Sequence, residues 1–152
     1  MRVFTKSWSI WLPINLDQAW NFFSRPENLK LITPPDMQFK LLSELLNTEM
    51  YEGMFIHYSV KPILGIEVNW ATEITHIKPL QYFVDEQRSG PYKIWHHEHH
   101  FKLKGNGVQM DDLLHYALPF GFIGQMVNEA FISDKIDSIF AYRKQELKTR
   151  FV

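Results

Sequence analysis

Five clusters of glycine and proline divide residues 38–118 into six extended pieces, 38–46, 53–60, 66–77, 80–88, 93–104 and 108–118. The breakers are Gly53, Pro62 with Gly65, Pro79, Gly90-Pro91 and "KGNG" at 104–107. Connections this short cannot hold crossover helices, so consecutive strands must pair antiparallel, as a meander. Val3–Ile14 alternates apolar and polar residues and predicts one more strand. Between it and the meander, Asn15 can cap a helix with Asp17 in its first turn, Gln18 three residues on, and Leu16, Ala19, Trp20 and Phe23 as its apolar face. "SRPENLKLITPP" predicts a second short helix, started by Pro26 and ended by Pro34-Pro35.

After "LPFGFIG" the period becomes helical through Ile123, Val127, Phe131, Ile132, Ile136, Phe140, Arg143 and Leu147. Such a helix of about 25 residues is about 37 Å long, enough to cross a sheet. A seven-stranded open sheet must bury one face, and only this helix is large enough to cover it. The expected fold is therefore α+β in a single domain over residues 1–152: a curved seven-stranded antiparallel sheet around a long C-terminal helix.

Five Trp, six Tyr and twelve Phe supply a core with surplus to line a cavity. A net charge near −1 leaves no basic footprint for nucleic acid. The absence of cysteine excludes disulfides, thiolate catalysis and cysteine-bound zinc. No stretch approaches the roughly 20 apolar residues of a membrane span, and the N-terminus lacks the apolar core of a signal peptide. A soluble, cytoplasmic protein is the expectation, as a monomer or homodimer.

Four of the seven histidines fall in "GPYKIWHHEHHF", residues 90–101. Strand alternation puts Trp95, His97, His99 and Phe101 on one face, which the aromatics mark as inward, and Ile94, His96, Glu98 and His100 on the other. Closing the hairpin with Gln87 opposite Trp95 sets Asp85 opposite His97 and Phe83 opposite His99. Closing the next with Leu103 opposite Val108 sets Phe101 opposite Met110 and His99 opposite Asp112. Opposed residues on one face have Cβ atoms about 4.5–5.5 Å apart, so Asp85 is the expected partner of His97, and Asp112 of His99. Such a belt can serve as a satisfied buried network fixing register, as the polar floor of a ligand cavity, or, through His-x-His plus Asp, as a metal site. The outward His96, Glu98 and His100 could also collect metal adventitiously. No metal or cofactor is assigned from the sequence.

"FVDEQRSGPYKIWHHEHHF", "MDDLLHYALPFGFIG", "IFAYR", "NLKLITPPDMQF" and "VNWATEI" together resemble the ligand-binding SRPBCC group of the START/Bet v 1-like superfamily, from about Val3 to Arg143. The matched positions include Asp85, Gln87, Gly90, Pro91, Tyr92, Trp95, His97, His99, Phe101, Met110, Asp112 and Tyr116; Glu98 and His100 depart from the pattern. The resemblance implies a helix-grip fold with a deep apolar cavity. Its wider relatives bind lipids, sterols and polyketides, and some are polyketide cyclase/dehydrase-like.

The expected function is binding of a hydrophobic or aromatic small molecule with a polar handle. Trp8, Tyr58, Trp70, Phe83, Trp95, Phe101, Met110 and Tyr116 would form the sheet wall, and Ile123, Val127 and Phe131 or their neighbours the helix wall. Asp85, Gln87, His97, His99 and Asp112 would be the polar groups. A cyclase or dehydratase with His97 or His99 as general base, oriented by Asp85 or Asp112, is the alternative. A third reading is an interaction module or dimer through Trp11 and the "TPP" loop.

Overall fold

The computed structural model describes residues 1–45 and 48–152, Ile63 by its backbone only. Seven strands form one antiparallel sheet: β1 (Phe4–Leu12), β2 (Lys40–Leu41), β3 (Phe55–Ile63), β4 (Ile66–Lys78), β5 (Tyr82–Ser89), β6 (Ile94–Lys104) and β7 (Gly107–Ala117). Their spatial order is β1-β7-β6-β5-β4-β3-β2, a meander to which β1 returns alongside β7. β1 runs its whole length against β7, from Phe4 opposite Tyr116 to Leu12 opposite Val108. Its inward residues tighten toward the C-terminal end, where Ile10 and Leu12 are buried.

Helix α1 (Leu16–Phe23) begins with the expected device: the Asn15 side chain accepts from the Gln18 amide, and the Gln18 side chain accepts from the Asn15 amide. Ala19, Trp20 and Phe23 are its buried face. The second short helix follows at Pro26–Ile32, started by Pro26 as expected and wound as a 3-10 helix. A single 3-10 turn at Pro35–Met37 then leads to Gln38 in the left-handed region.

Two strands differ from the sequence expectation. The strand expected at 38–46 shrinks to Lys40–Leu41, because the amides of Leu42 and Ser43 both turn to the single carbonyl of His57 and end the ladder; Leu46 lies outside the described residues. β3 continues through Pro62, which reads as a breaker, by shifting register between Val60 and Ile63. A bulge is one of the few places a sheet accepts a proline.

The C-terminal helix runs without a break through α2 (Gly121–Val127), a π turn (Asn128–Ile132) and α3 (Ser133–Arg150). Its buried column is Gly124, Asn128, Ile132, Ile136, Phe140 and Leu147. The expected contacts Ile123, Val127 and Phe131 stand one position off that column and are 65%, 41% and 68% exposed. Two groups without apolar character decide this phase. Gly124 packs so closely that a Cβ there would lie 2.2 Å from the Pro119 carbonyl oxygen. Asn128 Oδ1 accepts the buried Tyr116 hydroxyl at 2.7 Å. The π turn that begins at Asn128, with its wider winding, keeps Asn128, Ile132 and Ile136 in line. Gly124→Ala is expected to destabilise the fold by about 1–3 kcal/mol through its clash with Pro119, measured as a lower midpoint in thermal unfolding.

Candidate ligand cavity

β6 carries the site because its neighbours fix its register from both sides. Asp85 stands opposite His97 and Phe83 opposite His99 across β5, while His99 faces Asp112 and Phe101 faces Met110 across β7. His97 and His99 are 4% and 8% exposed, and His96 and His100 are half-buried on the outer face. The outer pair is partnered by carboxylates: His96 by Glu86 at 2.6 Å and Glu98 at 3.2 Å, and His100 by Glu98 at 2.7 Å.

The inner hydrogen bonds run crosswise rather than straight across. His97 Nε2–H donates to Asp112 Oδ1 at 2.8 Å, and His99 Nε2–H to Asp85 Oδ2 at 2.5 Å. The directly opposed acids are farther: His97 Nδ1 lies 3.6 Å from Asp85, and His99 Nδ1 3.4 Å from Asp112. The expected partners are therefore exchanged. Both imidazoles lean along the strand, with ring centres 3.8 Å apart, and each finds the acid two residues away. Phe83 stacks on His99 at 4.1 Å, and Phe140 meets His97 edge-on at 5.4 Å.

A pocket of about 110 Å³ opens on this belt. Tyr58, Phe83, Asp85, Trp95, His97 and His99 line it as the sequence suggested. The other named residues stand elsewhere. Trp8 stacks flat on Phe140 at 3.7 Å; Trp70 packs edge-on to Trp95; Phe101 packs against Trp20; Met110 is buried in the core cluster. Asp112 lies behind the histidines, and Tyr116 holds Asn128. Gln87 clamps a turn, accepting from the Tyr92 amide and donating to its carbonyl; Gly90 gives that side chain room. Ile123, Val127 and Phe131 do not border this cavity; Ile123 and Val127 border a separate apolar groove with Pro62, Pro91 and Tyr92. Trp11 lies over Gly107 and donates its indole N–H to the Lys104 carbonyl, covering the β6–β7 turn.

The lining residue with the most chemistry is one the sequence reading took only for helix periodicity. Arg143 of α3 reaches the cavity with its side chain 12% exposed. Its guanidinium lies over the Phe140 ring at 4.6 Å, its Nε is buried without a hydrogen-bond partner, and its nearest carboxylate, Asp112, is 4.0 Å away. The signal was legible: a charged residue on the buried column between Phe140 and Leu147. From the other side Phe22, Phe23, Leu29 and Met50 complete an apolar wall.

Burial alone would raise the Asp112 pKa, but its interactions with His97 and His99 outweigh it and hold the carboxyl far below its usual range. Asp85 is likewise lowered against burial, by the His99 bond and the charges of both histidines and Arg143. For His97 burial wins, joined by the neighbouring His99 charge, and its pKa falls. For His99 the interactions with the Asp112 and Asp85 carboxylates overcome burial, and its pKa rises. Burial, then the Asp85 charge, pushes the Tyr58 hydroxyl up, so it stays neutral. The cavity floor thus sets two imidazoles, one with its pKa lowered and one raised, between two carboxylates held low, with a guanidinium at its edge.

No family model matches the sequence, and no curated protein matches it. Solved structures do. Ginseng major latex-like protein 151 from Panax ginseng superposes with a TM-score of 0.71 at 13% identity, over 99% of this chain and 98% of that one. This is the helix-grip fold. Protein CV1439 from Chromobacterium violaceum gives 0.73 at 11% identity, over 97% and 96% of the two chains. Ara h 8.0201 gives 0.62 at 10%, over 96% and 98%. The Bet v 1-like resemblance carried by the sequence motifs is matched here at the level of fold, including the short helical segments between β1 and β2 and the long helix under the curved sheet. Among the described residues no helix is long and apolar enough to cross a membrane.

Proposed function

We propose that this chain binds a compact aromatic or apolar small molecule that carries an acidic group. The observation behind it is the composition of one cavity: aromatic and aliphatic walls, ending in Arg143 with donors unspent beside His97 and His99. Pockets for drug-sized ligands measure roughly 300–1,000 Å³; this one, at about 110 Å³, suits a one-ring compound. A guanidinium offers a planar fork that matches a carboxylate, and low dielectric strengthens that contact.

Calorimetric titration of the native chain with benzoate, phenylacetate and neutral toluene tests this. The expected result is saturable binding with the acids tighter than toluene. Ile74→Trp, which puts an indole into the cavity from a fully buried position, should abolish binding of all three. Arg143→Gln should remove the preference for acids, on the order of tenfold or more for a charge-assisted pair worth about 1.5–3 kcal/mol. Absence of saturable binding by all three compounds, together with no co-purified small molecule in native mass spectra, would sink the proposal.

The cyclase or dehydratase reading has one observation in its favour: His97 Nδ1 lies 3.6 Å from Asp85, outside hydrogen-bond distance, on a ring that borders the cavity. A general base must come within about 2.6–3.2 Å of the proton-bearing substrate atom, or reach it through one water. Conversion of a bound compound into a product of different mass, lost in His97→Gln while binding persists, separates enzyme from carrier.

A further inference from the structure

We infer that Asp85, His97 and His99 form a binding site for one divalent first-row transition ion of the zinc or iron(II) class, with its open coordination positions facing the cavity. The inference goes beyond ligand binding and holds whether or not an organic molecule occupies the same space. One ligand atom from each of the three residues lies within 4.8 Å of the others. All three residues border the cavity. Two imidazoles with one carboxylate, leaving positions free, is a donor set suited to zinc or to non-haem iron.

The surroundings organise the donors. Asp112 Oδ1 lies 2.8 Å from His97 Nε2 and 3.4 Å from His99 Nδ1. An N–H on each of those nitrogens leaves His97 Nδ1 and His99 Nε2 as lone pairs, and both of these face Asp85 Oδ2, at 3.6 and 2.5 Å. A carboxylate behind a histidine, fixing its tautomer and ring orientation, is the usual support of a metal-bound imidazole. Phe83 and Phe140 restrain the two rings on their other sides.

Without an ion, His99 Nδ1 is buried with no hydrogen-bond partner. With an ion on Nε2 in place of the proton there, the remaining ring proton sits on Nδ1, aimed at Asp112 3.4 Å away. Metal–ligand bonds of about 2.0–2.1 Å in a tetrahedron set donors about 3.3 Å apart. The His97–Asp85 separation is already close to that, Asp85 must move about 1 Å from His99, and the two imidazole donors, within 4.8 Å of each other, must close by up to about 1.5 Å. The ion takes the place of the proton shared in the short His99–Asp85 contact, and that proton leaves to solvent.

The outer face of β6 supplies the confounding site, so the test removes it. In a chain carrying His96→Gln, His100→Gln and His115→Gln, stripped with chelator, cobalt(II) titration is expected to give visible d–d bands of a low-coordinate nitrogen–oxygen site. Saturation should come at one ion per chain, with a rise in unfolding temperature, and zinc should bleach the spectrum. Asp85→Asn or, if that variant does not fold, His99→Gln in the same background should lose the bands. Loss of cobalt binding in the triple variant with the inner belt intact would overturn the assignment, as would bands that survive the inner substitutions.

Discussion

Asp112→Ala is expected to lower the stability of the fold by about 3–5 kcal/mol, the usual cost of removing one partner from a buried ionic cluster. Asp112 Oδ1 accepts from His97 Nε2 at 2.8 Å and lies 3.4 Å from His99 Nδ1 and 4.0 Å from the Arg143 guanidinium. Its removal leaves His97 Nε2 without its acceptor and Asp85 as the remaining carboxylate of the cluster in low dielectric. For a chain of this length each kcal/mol moves the unfolding midpoint by about 2–4 °C, so a fall on the order of 10 °C is the reading in a thermal melt. Asp112→Asn keeps one acceptor at the same place and should fall by less. An Asp112→Ala midpoint within a degree or two of the parent would show that the cluster is not the tightly coupled unit its geometry describes.

Phe140→Ala is expected to cost a similar amount, about 3–5 kcal/mol, as for other large-to-small changes in a packed core. Phe140 is the joint between helix and sheet: Trp8 lies flat on one side of its ring, His97 meets it edge-on, and Arg143 lies over it. Urea unfolding gives the stability loss. Because Arg143 loses its stacking surface as well, acid binding should weaken more in Phe140→Ala than in Leu147→Ala, a buried change on the same helix column. Equal weakening in the two variants would mean that Phe140 acts on the cavity through stability alone.

Much of this fold was legible because the extended segments were strongly marked. Two hairpin turns, at 88–93 and 104–107, sufficed to set Asp85, His97, His99 and Asp112 on one face, and the observed registers agree. The choice of partner within that face was not legible. Cβ spacing distinguishes opposed from diagonal neighbours, but an imidazole is long enough to reach either, and here both lean to the diagonal acid. The helix wall was misplaced for another reason. Apolar periodicity favoured Ile123, Val127 and Phe131, whereas close packing at Gly124 and the Tyr116–Asn128 hydrogen bond chose the adjacent column. Hydrophobicity carries no mark for a buried glycine or a buried amide. Arg143, in contrast, carried a mark in its phase that was read only as rhythm.

Reaching to the far acid gives the sheet a mechanical property. The links from His97 to β7 and from His99 to β5 slant against the backbone ladder, so they act as diagonal struts across three adjoining strands. Sliding β6 against either neighbour would have to stretch one of them. The sheet side of the pocket is thereby braced against shear, and any widening that admits a guest falls to the opposite wall, where α1 and the Pro26–Ile32 turn rest on it by apolar contact.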